Sequence, residues 1–233
     1  RERQDQRLSD DLLMLAARAP VPGATKTRLG RAIGMGRAAA LYEAFLRDLA
    51  VELAGDAVPW DVAWTFAPPT CDFRPWLARI GARQGPGVHL VPQRGPDWGA
   101  RQDALLRWAH EQGYRRVVLV ATDSPQLERS MVTQAFAALA QADAVLGRVT
   151  DGGYYLLGLS GYAPVLEEVP MSTNAAADAV VARARALGRR LVELPPTFDV
   201  DEAGDLAALV EALRPDGRGC PATWDALGRL GLR

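Results

Sequence analysis

Two cysteines and two histidines among 233 residues are too few to build the zinc centres and disulfide frameworks that depend on those side chains. Cys71 and Cys220 lie far apart without CxxC spacing, a usage that fits a reducing, cytoplasmic compartment. His89 and His110 fall outside every segment that looks chemical, so solvent or a local hydrogen bond is the expectation for each. A dominant charge is missing as well: 27 basic against 28 acidic residues leave a net charge of -1, with no global field to attract a polyanion. Nucleic acid is therefore not expected as a partner, and any phosphate binding must be local. No apolar run approaches the roughly 20 residues that cross a bilayer, so no membrane partner is expected either. The GxSxG elbow of the serine hydrolases is absent. The charged start, RERQDQRLSDD, lacks the apolar stretch of a signal peptide. Residues 1–10 read as a leader or disordered segment and 11–233 as a single domain, because no repeat, low-complexity tract or linker divides the rest.

What is present is a recurring pair of patterns. Short apolar runs precede longer amphipathic segments: LLMLAA from Leu12, DVAWTFA from Asp61, HLVP from His89, RVVLVAT from Arg116 and DAVLG from Asp143. Runs that are apolar throughout suit strands covered on both faces, the situation of a parallel sheet with helical crossovers. The fold class is then α/β, a three-layer αβα sandwich with a mainly parallel central sheet. Between Ala38 and Leu53, Leu41, Phe45, Leu49 and Leu53 recur about once per helical turn, while Glu43, Arg47 and Glu52 fall mostly on other faces. Ser130 to Ala140 and Ala175 to Leu187 are further helix candidates, and Pro195 and Pro196 are expected to end the strand RLVEL.

Four segments carry candidate chemistry. In ARAPVPGATKTRLG, Arg18, Lys26 and Arg28 surround Gly23 just before a helix. Glycine allows close backbone approach to an anion, the cations supply charge, and the helix N-terminus adds its dipole, so the loop could hold a diphosphate or triphosphate. It lacks the GxxxxGK[ST] spacing of a P-loop, and a solvated basic loop is the alternative. In VVLVATDSPQL an apolar strand ends at Asp123, on the edge where such sheets bind ligands, and its carboxylate suits a hard cation such as Mg²⁺. The alternative is an N-cap of the next helix, made by Asp123 or Ser124. In RVTDGGYYLLGL a turn at Asp151, Gly152 and Gly153 leads into a strand from Tyr154. Such a turn beside the crevice could offer backbone amides to an acceptor and Asp151 as a further carboxylate, although DGG is also a common hairpin signal. In FDVDEAGDL, alternation puts Asp199 and Asp201 on one face, where a second carboxylate could join Asp123 around a metal, and Asp205 enters the following helix. Trp60, Trp64, Trp98 and Trp108 are expected in the core, with an acceptor pocket or interface as the other use.

Taken in order with the helix AAALYEAFLRDL and the tail CPATWDAL, these segments resemble the type-one radical-SAM and selenodomain-associated transferases, within the nucleotide-diphospho-sugar transferase superfamily. That resemblance implies a GT-A-like, Rossmann-like fold and a transferase using a nucleotide sugar. More distantly, the AxKTRL loop and DVDxxxDL element are similar to those of the 2-phospholactate guanylyltransferases, so a nucleotidyltransferase working from an NTP stays open. The resemblance to sugar-acid cytidylyltransferases assigns the metal, Mg²⁺ or Mn²⁺, to Asp123 and Asp201. The loop gives phosphate binding to Lys26 and Arg28, with Arg18 and Gly23 beside them, and the likeness of GARQDAL to the GGxxRxxSV segment of cytidylyltransferases points Arg101 at the nucleotide. Asp151 remains the spare carboxylate for a small-molecule acceptor, and Gly152, Gly153 and Tyr154 are its expected contacts. The chain departs from the family where GPDWGARQDAL replaces a GDLGERM-like stretch: Asp97, Gly99 and Arg101 persist, but the Glu and Met do not. That departure leaves a third reading, a nucleotide-binding module without turnover.

Overall fold

A computed structural model describes residues 7–233. Seven strands form one sheet: β1 (Asp11–Arg18), β2 (Asp61–Ala67), β3 (Val88–Pro92), β4 (Arg116–Ala121), β5 (Ala144–Val149), β6 (Tyr154–Ser160) and β7 (Leu191–Thr197). Their spatial order is β3-β2-β1-β4-β6-β5-β7, with β6 antiparallel to both its neighbours and every other pairing parallel. Among the described residues, six helices lie between strands, α1 (Thr27–Ile33), α2 (Met35–Ala54), α3 (Arg74–Ile80), α4 (Trp98–Glu111), α5 (Arg129–Ala138) and α6 (Ala176–Ala186), and two follow β7, α7 (Asp205–Leu213) and α8 (Pro221–Arg229).

Alternation along the central strands builds the layers. Leu13, Leu15 and Ala17 of β1, with Val118 and Val120 of β4, face a core completed by α2, α5, α7 and α8. Leu12 and Met14 of β1, with Val117 and Leu119 of β4, face a second core completed by α4 and α6. Both faces of the central strands are covered, which is why these runs are apolar at every position, and the three-layer αβα sandwich follows. In α2, Leu41, Phe45, Leu49 and Leu53 are fully buried, each contributing about 1.5–3 kcal/mol relative to exposure. Glu43 is nearly buried on the same helix, where Arg47 and Arg79 each donate to Oε1 at 2.9 Å. Gly34, at φ +99°, separates α1 from α2 in a conformation that disfavours any side chain.

Two expectations and one alternative need correction. Pro195 and Pro196 lie inside β7 rather than after it; β7 is an edge strand with a register shift opposite, so a missing amide breaks no necessary ladder bond. Of the leader expected over 1–10, residues 1–6 lie outside the described residues. Residues 7–10 are bound to the body of the protein: the Leu8 amide donates to Asp61 Oδ2 at 2.9 Å, and Asp10 accepts from the Arg115 amide through its carbonyl. Asp61 also accepts from the Tyr114 hydroxyl, which contacts His89 Nε2 at 2.6 Å, so a buried acid supplies the partner that holds the segment. Finally, neither Asp123 nor Ser124 caps α5, which starts at Arg129 with no side-chain cap.

Candidate active site

The connection order places the site. From β1 the chain moves outward to β2 and β3, then crosses back to β4 on the other side of β1. The crevice at this switch point lies beyond the carboxyl ends of the strands, where adjacent loops diverge. A cavity of about 560 Å³ opens there, walled by the loops after β1, β3, β4 and β5 and by residues 199–201.

At its centre is Lys26. The residue holds a left-handed conformation, φ 48° and ψ 44°, at the head of α1, which turns its side chain back under the loop. Its Nζ lies 2.5 Å from Asp123 Oδ1 and donates to Asp201 Oδ1 and the Val200 carbonyl, both at 2.7 Å. The lysine side chain is 4% exposed, whereas those of Asp123 and Asp201 are 38% and 44% exposed. Burial alone would lower the Lys26 pKa, but attraction to the two carboxylates overrides it and raises the ammonium above its ordinary range. The Tyr42 ring supports the cation at 5.7 Å, and its hydroxyl contacts Thr122 Oγ1 at 2.7 Å and accepts from the Arg18 amide at 3.1 Å. Thr122 Oγ1 in turn donates to the Ala16 carbonyl, joining α2, β1 and β4 directly beneath the lysine.

Two aspartates from distant parts of the chain meet because the backbone is stitched between them. Val200 N donates to the Asp123 carbonyl at 3.0 Å, and Ser124 Oγ and Gln126 Nε2 both donate to the Phe198 carbonyl. Beyond this seam, Asp205 Oδ2 accepts from the amides of Asp201 and Glu202. Asp205 is thus a brace for the acidic loop at the start of α7. Asp199 and Asp201 share the cavity wall as alternation suggested, although they occupy a loop after β7.

The carboxylates outnumber the cation at the centre. Burial, then Asp201 and Asp151, and more weakly Asp123, push the Asp199 carboxyl up to about 6. Because this folded-state value exceeds the ordinary 3.8, ionised Asp199 costs stability above pH 6, and stability recovers as pH falls toward 4. Asp199→Asn is therefore expected to raise the melting temperature at pH 7.5, without metal, by about 2–6 °C, corresponding to roughly 1–2 kcal/mol. The gain should vanish near pH 3.5, and an equal gain at both pH values would show that charge crowding is not its cause.

A crowd of carboxylates with partly exposed side chains has the donor chemistry of a hard divalent ion. Among the described residues there is no ready-made group of three or more His, Cys, Asp or Glu ligands. The fit is thus to an ion held by one or two carboxylates and completed by phosphate oxygens and water, the usual arrangement for Mg²⁺.

The remaining expected residues divide. Arg18, Arg28 and Arg101 line the cavity; Arg28 is largely exposed and only 3.6 Å from Glu202, free enough to turn toward an anion. Gly23, at φ +79°, forms an exposed turn outside the cavity wall. Asp151, Gly153 and Tyr154 line the cavity, and Asp151 Oδ1 already accepts from the Gly153 amide at 2.9 Å. Gly152 does not reach the wall: a Cβ there would lie 2.0 Å from the Asn174 carbonyl oxygen, so the glycine admits the segment Met171–Asn174 to the rim. That rim, together with Thr25, Gln93 and Gln102, escaped sequence reasoning. Only Gln102, inside GARQDAL, carried a signal; Gln102 Nε2 donates to the Tyr154 hydroxyl at 2.9 Å. Trp98 also lines the cavity, with the Arg101 guanidinium 5.8 Å from its ring centre, while Trp60 and Trp64 are core residues. His110 Nδ1 lies 2.9 Å from the Tyr114 carbonyl; like His89, it satisfies a local bond away from the site.

This sheet order, with its antiparallel sixth strand and crevice at the switch point, defines an α/β fold of the nucleotidyltransferase and GT-A-like type. Residues 54–173 match the family described as "Uncharacterized protein conserved in bacteria (DUF2064)", and the chain belongs to that family. The match includes Gln93, Arg101, Asp123 and Asp151 but not Lys26 or Asp201. No curated protein matches the chain. Among solved structures, it is similar to a Desulfovibrio desulfuricans G20 protein with the provisional name nucleotide-diphospho-sugar transferase. The two are 28% identical with a TM-score of 0.85, covering 96% of this chain and 97% of the other. The fold also matches the 4-diphosphocytidyl-2C-methyl-D-erythritol synthase of Anaerococcus prevotii DSM 20548, at 11% identity, TM-score 0.56, and coverage of 92% and 99%. A third match is CMP:2-keto-3-deoxy-manno-octonic acid synthetase complexed with CTP, at 14% identity, TM-score 0.51, and coverage of 86% and 97%. Among the described residues, no helix is long and apolar enough to cross a membrane.

Proposed function

We propose that the protein is a divalent-metal-dependent transferase that uses a nucleotide sugar as donor, of the kind the radical-SAM and selenodomain-associated family implies. The observation that carries this reading is the buried Lys26 ammonium between Asp123 and Asp201 at the switch point, with Arg18 and Arg28 beside it. Asp123 and Asp201 would hold Mg²⁺ or Mn²⁺, and the bound ion would supply charge stabilisation to a leaving diphosphate. Lys26 places a fixed positive charge at the same point, and the arginines reach the outer phosphate oxygens. In glycosyl transfer the bond from the anomeric carbon to the diphosphate oxygen breaks and the acceptor oxygen bonds to that carbon. The acceptor proton passes to a base, for which Asp151 is the available carboxylate, and the nucleoside diphosphate leaves. The provisional name of the Desulfovibrio structure supports this reading over its competitors.

Nucleotidyl transfer is the second reading, favoured by the engagement of Asp151 Oδ1 with Gly153. A phosphorylated acceptor attacking the α-phosphorus of an NTP needs no base, and pyrophosphate then leaves. Thermal stabilisation by NTPs, NDPs and nucleotide sugars, each with and without Mg²⁺ or Mn²⁺, separates the readings. A saturating ligand at 100 times its Kd adds about 2.7 kcal/mol. Metal-dependent stabilisation by a nucleotide sugar beyond its parent NDP is the expected result. Preference for an NTP would select nucleotidyl transfer, and no shift with any nucleotide would sink both.

A further inference from the structure

The Lys26 ammonium stands among three oxygens, Asp123 Oδ1, Asp201 Oδ1 and the Val200 carbonyl, one for each of its hydrogens. Among the described residues it is the only cation paired with either aspartate. Its place is fixed from both ends. The left-handed backbone at the head of α1 turns the stem inward, the Tyr42 ring lies 5.7 Å from the ammonium, and the side chain is 4% exposed. A lysine so enclosed does not swing out into water. The carboxylates are the open members of the group, at 38% and 44% exposed.

This arrangement decides how the same aspartates meet a divalent ion. An ion that touches either carboxylate lies close beside the ammonium already bonded to it. A divalent and a monovalent cation about 5 Å apart repel enough to weaken binding about tenfold or more, even at the dielectric constant of water. The wider cavity offers no relief, since four aspartates and four basic side chains line it. Its charge is thus near balance, and neither a bare cation nor a bare polyphosphate gains much from it. A nucleotide that carries its own ion differs from both, because the ion offsets the phosphate charge and phosphate oxygens supply part of the ion's ligand set. Such a complex enters without upsetting the balance, its ion toward the aspartates and its phosphates toward the lysine and the arginines.

We infer that Lys26 is a built-in counter-ion that selects the form of the donor: it keeps a divalent ion from settling on Asp123 and Asp201 by itself, so that metal and nucleotide enter together as one complex. The lysine then acts before any chemistry, as a gate on the metal, in addition to facing the phosphates. The inference rests on the metal-dependent nucleotide reading above and adds to it which species binds.

Titration of the full chain with Mn²⁺ at low ionic strength, with unbound Mn²⁺ read from its electron paramagnetic resonance signal, tests it without any turnover. The wild type is expected to bind Mn²⁺ alone with a Kd weaker than about 100 μM, and Lys26→Met and Lys26→Gln about tenfold or more tightly than the wild type. Adding Asp123→Ala to Lys26→Met should abolish that gain and so tie it to this pair of carboxylates. Wild-type binding of Mn²⁺ alone more tightly than about 100 μM overturns the inference and needs no variant to fold. A folded lysine variant with unchanged or weaker affinity for the ion overturns it equally, as does a gain that survives Asp123→Ala. Each of these results leaves the nucleotide reading standing where ADP, CDP, GDP or UDP still adds metal-dependent thermal stabilisation to the wild type. No stabilisation by any of these nucleotides, with or without Mn²⁺, defeats both.

Discussion

If the proposed donor site is right, Lys26→Met is expected to lower turnover of the activated donor by about 10³-fold, because it removes a buried cation placed to meet the charge that develops on phosphate. Methionine matches the length of the aliphatic stem, so packing against Tyr42 should survive while the contacts to Asp123, Asp201 and the Val200 carbonyl are lost. Both aspartate side chains are more than a third exposed, so water can solvate them once the lysine is gone. The stability cost should thus stay below the roughly 3–5 kcal/mol of a fully buried broken pair. Lys26→Arg is not a conservative rescue, since a planar guanidinium has no room in a slot where the native side chain is 4% exposed. Turnover with the donor that best stabilises the wild type, alongside a melting curve, is the measurement. A folded Lys26→Met protein with near wild-type turnover would refute a role in phosphate chemistry. The pH behaviour has a definite sign. The folded-state pKa is raised above the ordinary 10.5, so the stabilisation by the ammonium is complete below that value and is lost as pH rises through the folded value.

Asp123→Ala should abolish the extra stabilisation that metal adds to a nucleotide and reduce turnover by about 10²–10³-fold. The variant should fold, because Asp201 and the Val200 carbonyl still hold Lys26 and the seam from Val200 N to the Asp123 carbonyl uses only backbone. Differential scanning fluorimetry with nucleotide alone, metal alone and both together isolates the coupling. Were the metal-dependent increment intact in Asp123→Ala, the carboxylate would be a partner of Lys26 and not a ligand of the ion. A double-mutant cycle between Lys26→Met and Asp123→Ala then distinguishes a shared phosphate site from two independent contributions.

These residues show how far local pattern reaches. Asp123 was legible because an acid at the end of an apolar strand is conspicuous, and Asp199 and Asp201 because they precede a helix in an acidic run. Bonding of Lys26 to both Asp123 and Asp201 was not legible, since it depends on a left-handed backbone at one residue and on a seam joining segments about 75 residues apart. Gln93 carried no signal at all: a polar residue after a strand looks the same whether it faces water or, as here, donates to the Ala17 and Thr65 carbonyls and Thr65 Oγ1. The rim at Met171–Asn174 was equally hidden, because it reaches the cavity only through the space left by Gly152. The central strands, by contrast, announce their burial at every position, and the layered fold followed from them.

The two prolines within β7 bear on how the molecule behaves in a crowd of its own copies. Successive amides along a strand point to opposite sides in the plane of the sheet, so one of the pair withdraws a donor from the outer rim. A neighbouring chain seeking to dock there finds an interrupted ladder next to the exposed Glu193. On that side the sheet resists recruiting a further strand, and polymerisation through this border is discouraged by the covalent structure itself.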